Sequence, residues 1–438
     1  FDRDMSYPLG AMMGTTTKKM GFWQCWGMSV GVMIGSGIFL LPSVLAPFGW
    51  ISLLGWLLTS VGTLVLALIL ARLASNTDRP GGPYAYVKES FGDLAGFLIG
   101  WGYWVGVVLG VTAIAIGFAG YMGSVFPIFA ANSFAQSLLA AAGIGVLTLV
   151  NVKGISEAAT VQLVLTILKI IPLVVVIGLG FAYGDSGNFP PFNLKELPIT
   201  QALASTALLT MWAFIGIEAS VIPTSDVENP KKTIPLAVIC AALSVSFLYV
   251  GSSIAIMFLV PHEVLAFSES PFVDAAAYLG SAGALFIGIG ALISTAGALN
   301  GNIFVMGQMP LQVAADGLAP SIIAKRNRGG APGPALVVSS VFSTALLVLN
   351  FTDGLVGAFS FLISMSTLSI LAPYGLSAAA EFKRSWSSSK GWAGVALLSM
   401  IYSLIAAAGS GWYVMTLGVS LFLLGVPVYK FFQSRFVI

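Results

Sequence analysis

Three groups of residues in this chain could do chemistry. Lys169 stands in the run Val161-Gln162-Leu163-Val164-Leu165-Thr166-Ile167-Leu168-Lys169-Ile170-Ile171-Pro172. Glu218 stands in Met211-Trp212-Ala213-Phe214-Ile215-Gly216-Ile217-Glu218-Ala219-Ser220. Neither run holds another charge. Keeping one charge at the centre of a membrane helix costs on the order of 3 kcal/mol, so a retained charge is a functional candidate. A lone amine and a lone carboxylate can gain and lose protons or stand in for an ion. The third group is Gly35-Ser36-Gly37, midway along an uncharged stretch from Lys19 to Arg72. Two glycines around a serine form helix poorly. The spacing predicts a break, with a half-helix starting at Gly37 that aims free backbone N–H groups and a positive dipole end at a polar site. A carboxylate fits that field. The competing reading is a face of small residues for helix packing.

The elements that must position these groups are membrane spans. The chain has 438 residues, is 57% hydrophobic and only 8% charged, and has a mean hydropathy of +0.95. Soluble domains carry roughly 25% charged residues, so water-soluble enzyme classes are set aside. The two cysteines, Cys25 and Cys240, lie in apolar runs, and the one histidine, His262, follows a proline. That pattern offers neither a metal site nor a histidine-based triad. No Walker-type lysine motif and no GxGxxG after a strand is present, which argues against ATP-driven chemistry. No cofactor and no nucleic-acid partner is expected.

Splitting the uncharged runs at their turn residues gives twelve spans: 22–46, 51–72, 93–126, 132–151, 158–183, 201–223, 234–260, 275–310, 333–351, 354–380, 391–408 and 411–430. Alternating the connections puts all of the 19 Lys and Arg residues except Lys169 and Lys195 on one side. The positive-inside rule makes that side cytoplasmic, with both termini. Residues 1–20 read as a cytoplasmic lead without a cleavable signal pattern. Span 1 is broken at Gly35-Ser36-Gly37, and span 6 carries Gly216 beside Glu218. Interruptions at matching places in two halves point to a transporter site. The expected organisation is one repeat over 21–183, an inverted second over 184–380, and two added spans over 381–438. Gly301-Asn302 reads either as an opening of span 8 near the site or as a small-residue crossing point.

Four motifs, taken in order, resemble the amino acid–polyamine–organocation transporters. They are Gly35-Ser36-Gly37-Ile38-Phe39 with Pro42, Pro80-Gly81-Gly82-Pro83-Tyr84-Ala85-Tyr86, Glu228-Asn229-Pro230-Lys231-Lys232-Thr233-Ile234-Pro235, and Ala314-Ala315-Asp316-Gly317-Leu318-Ala319-Pro320. The resemblance is to bacterial arginine/agmatine-type antiporters, mixed with the sodium-independent transporters whose fifth span carries a lysine. It implies an all-α integral membrane protein of LeuT type: a 5+5 inverted repeat within twelve transmembrane helices, with spans 1 and 6 discontinuous. It also implies a bacterial inner-membrane location, a proton as coupling partner, and a homodimer as an admissible assembly. The substrate carboxylate would meet the N–H groups around Gly35, Ser36 and Gly37. Its ammonium would meet carbonyls near Met33, Trp212 and Ile215. Trp212 and Tyr374 would gate the site. Tyr103 and Tyr374 would line the pocket or its access path, although membrane aromatics more often serve packing; the same choice stands for Trp104.

The departures from the pattern concern the substrate. The side chains that dress a guanidinium in the arginine antiporters correspond here to Val32, Val111 and Asn302, with Val107 and Met33 adding apolar lining. An unpaired guanidinium in such a pocket costs several kcal/mol. The expected substrate is therefore a neutral amino acid, apolar or small, moved by exchange or with protons. A cationic amino-acid or polyamine exchanger is the alternative. Lys169 would take the place of a sodium ion, making transport sodium-independent; snorkelling to an interface is its other reading. Glu218 is read either as the proton-coupling group or as a polar packing contact. The connection between spans 3 and 4 holds no cysteine, which excludes a disulfide-linked partner there.

Overall fold

Apolar runs of this length satisfy their backbone in hydrocarbon only as helices or closed barrels, and the computed structural model is helical. It describes residues 20–76, 82–130, 133–153, 158–221, 227–327, 330–350 and 354–436. Among the described residues, eleven helices are long and apolar enough to cross a membrane, and a shorter apolar helix adds to them. Span 1 consists of Phe22–Met33 and Ser36–Leu45, here called 1a and 1b. Span 2 is Ile51–Asn76, span 3 Asp93–Val125, span 4 Ser133–Lys153 and span 5 Ala158–Tyr183. Span 6 begins as Ile199–Met211 and goes on as two tight turns, Trp212–Phe214 and Ile217–Ser220. Span 7 is Pro230–Leu259, span 8 Gly280–Ala315, span 9 the shorter Gly333–Asn350 and span 10 Gly354–Ser385. Span 11 is Lys390–Ala408, and span 12 is Gly411–Leu423 followed by Gly425–Phe436.

The expected spans recur with shifted ends. Span 8 is prolonged at both ends by apolar helical turns, so that the crossing segment runs from Pro271 to Ala315. The last residues expected of span 6, and the first motif residues Pro80 and Gly81, lie outside the described residues. Gly301-Asn302 does not open span 8. The helix continues through both residues, and the Asn302 side-chain amide donates to the Ala298 carbonyl 2.9 Å away, one turn back on its own helix.

The core lies around span 1. Every residue of 1b is buried, and span 3 packs along both span 8 and span 10. Two of the sequence motifs meet at the basic end of the bundle. Tyr84 and Lys88, on the short helix Pro83–Phe91, donate to Asp316 Oδ2 at 2.7 and 2.9 Å. A third motif meets the start of span 1, where the Glu228 N–H donates to the Met20 carbonyl at 2.9 Å. Also at this end, Glu381 is fully buried and accepts from Arg72 at 2.6 Å and Arg384 at 2.7 Å. At the opposite end, the connection after span 5 pairs its backbone with the turn between spans 1 and 2, through Trp50 N–H to the Pro191 carbonyl and Ile51 N–H to the Phe192 carbonyl.

Candidate functional site

Span 1 stops at Met33. Ile34 and Gly35 both take extended backbone, and the helix restarts at Ser36 with no side chain capping it. The restart is one residue earlier than the sequence spacing predicts, because two extended residues are enough to reset the chain. The first N–H groups of 1b therefore have no intrahelical acceptor. Gly35 is needed for close approach: a Cβ there would come within 2.6 Å of the Ala298 Cβ on span 8. Span 6 unwinds beside this point. Ile215 is extended and Gly216 has φ +106°, a left-handed conformation that favours glycine. A Cβ on Gly216 would also strike Val32 Cγ1 at 2.3 Å.

Between the two breaks is a cavity lined by Val32, Met33, Gly35, Ser36, Gly37, Ile114, Trp212, Ala213, Ile215, Ala298 and Asn302. Its volume of about 20 Å³ is room for one water, not an amino acid. The site is closed in this conformation. The Trp212 indole, 7% exposed, lies against Gly37 and Gly110. Ser36 Oγ is buried and has no hydrogen-bond partner. This hydroxyl bears the cost of its burial without a protein partner to offset it. A larger groove of about 240 Å³ on the outer face of span 5, lined by Ile167, Ile170, Ile171, Val174 and Val175, offers no polar side chain.

The two intramembrane charges flank the breaks. Glu218 is 1% exposed. Its Oε1 accepts from the Tyr103 hydroxyl at 2.8 Å, and its Oε2 accepts from the Tyr374 hydroxyl at 2.6 Å and the Gly216 N–H at 3.2 Å. All three donors are neutral. Lys169 is also 1% exposed and so does not snorkel. Its Nζ donates to the Gly31 carbonyl of 1a at 2.9 Å, and a Cβ on Gly297 of span 8 would lie 3.4 Å from Nζ. The amine thus sits between spans 1 and 8.

The match to known proteins spans this whole architecture. The family model described as amino acid permease matches residues 20–436. The chain belongs to the amino acid permease family. Among its curated relatives is a Bacillus subtilis (strain 168) protein provisionally named arginine/ornithine antiporter, 31% identical over 463 residues, covering 96% of the permease and 98% of that chain. The cadaverine/lysine antiporter of Escherichia coli (strain K12) is 30% identical over 344 residues, 76% of each chain. A putrescine transporter of the same strain is 28% identical over 437 residues, covering 97% and 98%.

Of the residues expected to bind substrate, Val32, Met33, Gly35, Ser36, Gly37, Trp212, Ile215 and Asn302 lie together on the cavity wall of the permease. Val107, Val111 and Tyr103 do not. Val107 and Val111 pack into the core, and Tyr103 bonds Glu218. Span 3 instead presents Ile114, three residues beyond Val111 and so on the same side of the helix one turn on. Ala298, four residues before Asn302, and Ala213, next to Trp212, complete the wall; both follow from helical or chain neighbourhood to residues already singled out. Tyr374 also lies off the wall, bonded to Glu218. Trp104 is a packing residue, its Nε1 donating to Ser339 Oγ at 2.8 Å and its ring edge-on to Phe342.

Proposed function

We propose that this permease is a secondary antiporter that exchanges cationic amino acids, or the amines related to them, by alternating access. The cavity between the breaks of spans 1 and 6 carries this reading. One wall offers helix-terminal N–H groups and the unpartnered Ser36 hydroxyl, which suit a carboxylate. The facing wall is unwound backbone whose carbonyls suit an ammonium. Asn302, with its Nδ2 engaged by Ala298, keeps its side-chain oxygen as an acceptor for a second cationic group. The names of the relatives turn the choice of substrate toward arginine, ornithine, lysine, cadaverine and putrescine, which is the second of the two readings that the sequence supports.

The neutral-substrate reading keeps one specific support: Val32 and Ile114 bring apolar surface to the wall, and no carboxylate lines it. In the proposed cycle Trp212 moves aside to admit substrate and Tyr374 takes part in gating. Glu218 exchanges a proton, and Lys169 bridges spans 1 and 8 in place of a sodium ion. The basic face is cytoplasmic in a bacterial inner membrane, and residues 21–183 and 184–380 are the two inverted halves.

Counterflow in liposomes tests the reading. With labelled arginine inside, external arginine, ornithine, lysine or a diamine accelerates efflux, and replacing sodium with choline changes nothing. Leucine, methionine or alanine outcompeting arginine would instead establish a neutral-substrate carrier, and loss of flux in choline would remove the role given to Lys169.

A further inference from the structure

The Trp212 indole reaches from 1b to span 3. One end lies at 1b, where a Cβ on Gly37 would come within 3.2 Å of both Cδ1 and Nε1. The far end lies at span 3, where a Cβ on Gly110 would meet Cη2 at 2.8 Å and Cζ3 at 3.1 Å. A contact of 2.8 Å is closer than a real Cβ makes, so the ring rests where only a hydrogen fits. Gly110 is buried in the middle of span 3, and span 3 is fixed on this face. The Ser366 hydroxyl of span 10 donates at 2.6 Å to the carbonyl of Gly106, one turn before Gly110. A Cβ on Gly106 would strike Ile370 Cγ1 at 2.5 Å. The helix cannot retreat from the indole without breaking that bond. The indole has little room to slide back, because Gly37 stands close at its other end.

We propose that Gly110 is the seat on which the Trp212 indole closes, a positioning residue whose missing side chain lets the ring lie between 1b and span 3 and shut the cavity. The seat holds whatever the cavity contains; its consequence for transport rests on the cavity being the substrate site. Gly110 is not on the cavity wall, so a methyl there removes no group that could touch a ligand. It overpacks the closed conformation alone, because an indole swung aside no longer lies against position 110. One methyl in a packed contact disfavours that conformation by about ten- to a hundredfold. An alternating-access carrier passes between its two open forms through a closed one. Exchange is therefore slowed, while binding to an open form is kept.

The test adds one methyl in two places. Gly110→Ala is compared with Gly102→Ala, where a Cβ would meet the Phe422 ring of span 12 at 2.9 Å, about two turns away on the same helix and off the cavity. Each is also made in a Trp212→Phe background, since a phenyl ring ends short of the Cη2 edge. Hydrogen–deuterium exchange is read on the purified full chain without ligand, in peptides covering 33–40. The first N–H groups of 1b have no intrahelical acceptor, and the closed cavity is what shields them. Exchange there is expected to quicken about tenfold in Gly110→Ala and to stay unchanged in Gly102→Ala. In the Trp212→Phe background the methyl at 110 changes nothing. Counterflow of labelled arginine is expected to fall at least about tenfold in Gly110→Ala, while its dissociation constant changes less than about threefold. Ligand-free exchange that Gly110→Ala leaves unchanged, or that it quickens equally without the indole, overturns the seat, as does an equal effect of Gly102→Ala. Should Gly110→Ala not fold, the seat requires that adding Trp212→Phe restore a folded chain, and failure of both overturns it. Wild-type counterflow beside quickened ligand-free exchange, or a dissociation constant that rises as far as counterflow falls, overturns the link to transport. Failure of the wild type to bind or exchange arginine falls on the proposed function, and the ligand-free exchange still judges the seat.

Discussion

The Tyr374 hydroxyl donates to Glu218 Oε2 over 2.6 Å, while Tyr103 holds the other oxygen of the same carboxyl at 2.8 Å. These two tyrosines come from spans 10 and 3 and meet on a carboxylate at the unwound part of span 6. A protonation change at Glu218 alters which of these groups donates and which accepts, and so changes how three spans are joined. Glu218→Gln keeps the size and removes the acidic group. The expected result is exchange that persists while its rate varies by less than about twofold across the pH range in which the wild type varies most. The check is counterflow measured as a function of pH. A profile identical to wild type would make Glu218 a packing contact.

Ser36 separates folding from function. Its hydroxyl is buried without a partner, so the protein already bears its desolvation cost. Ser36→Ala removes that cost and is expected to leave thermal stability unchanged or raise it by up to about 1 kcal/mol. Substrates with a carboxylate lose a hydrogen bond, and their affinity falls about tenfold. Cadaverine and putrescine have no carboxylate and are affected less. Isothermal titration with lysine against cadaverine reads the difference; an equal loss for both would place the carboxylate elsewhere.

Much of the site was legible because its signals are local. A Gly-Ser-Gly in the middle of an apolar run predicts a break wherever the chain folds, and the break is there, displaced by one residue. Lys169 and Glu218 stand out because a charge in hydrocarbon is costly in any fold. What joins these groups was not legible. Tyr103, Glu218 and Tyr374 are separated by more than a hundred residues, and only packing decides that they converge. Val111 lies on the same face of span 3 as Ile114, but the cavity wall falls one turn further along, and the sequence does not mark how far along a face the site lies. Of the two readings open to Gly301-Asn302, an opening of span 8 or a small-residue crossing point, the first fails, since the helix is continuous there.

At the basic end, Asp316 gives a pH dependence with a definite sign. Partial burial raises its pKa, but hydrogen bonds from Lys88 and Tyr84 and the Lys88 charge outweigh that and hold it below the ordinary carboxylate range. A carboxyl whose folded pKa is depressed adds stability above its unfolded value, near about 3.9, and loses it as pH falls through the folded value. The carboxyl is partly solvated, so the contribution is discounted to about 0.5–1 kcal/mol. Asp316→Asn is expected to melt lower than wild type at pH 7. That gap closes as pH is lowered below about 4. Thermal unfolding at both pH values reads the gap, and a constant one would show that the carboxylate charge contributes nothing.

Arg72 and Glu381 join the basic ends of spans 2 and 10. Arg72 Nε lies 2.6 Å from Glu381 Oε1, and its guanidinium stacks over the Trp392 ring of span 11 at 4.4 Å. Glu381 is fully buried, whereas Arg72 and Arg384 are both partly solvated. The asymmetry decides which substitution costs more. Removing Arg72 leaves a buried carboxylate with Arg384 and the Ser385 hydroxyl as its remaining partners. Removing Glu381 leaves cations that can reach water. Arg72→Ala is therefore expected to destabilise by about 2–4 kcal/mol, somewhat less than the roughly 3–5 kcal/mol for breaking a fully buried pair because Arg72 is partly solvated, and Glu381→Gln by less. Arg72→Lys recovers the charge but neither the fixed Nε–H donor to Glu381 nor the guanidinium's place over the Trp392 ring, so it should restore only part of the loss. Melting temperatures of the three variants in one detergent rank them. If Glu381→Gln is the worst, the carboxylate rather than the guanidinium holds spans 2, 10 and 11 together.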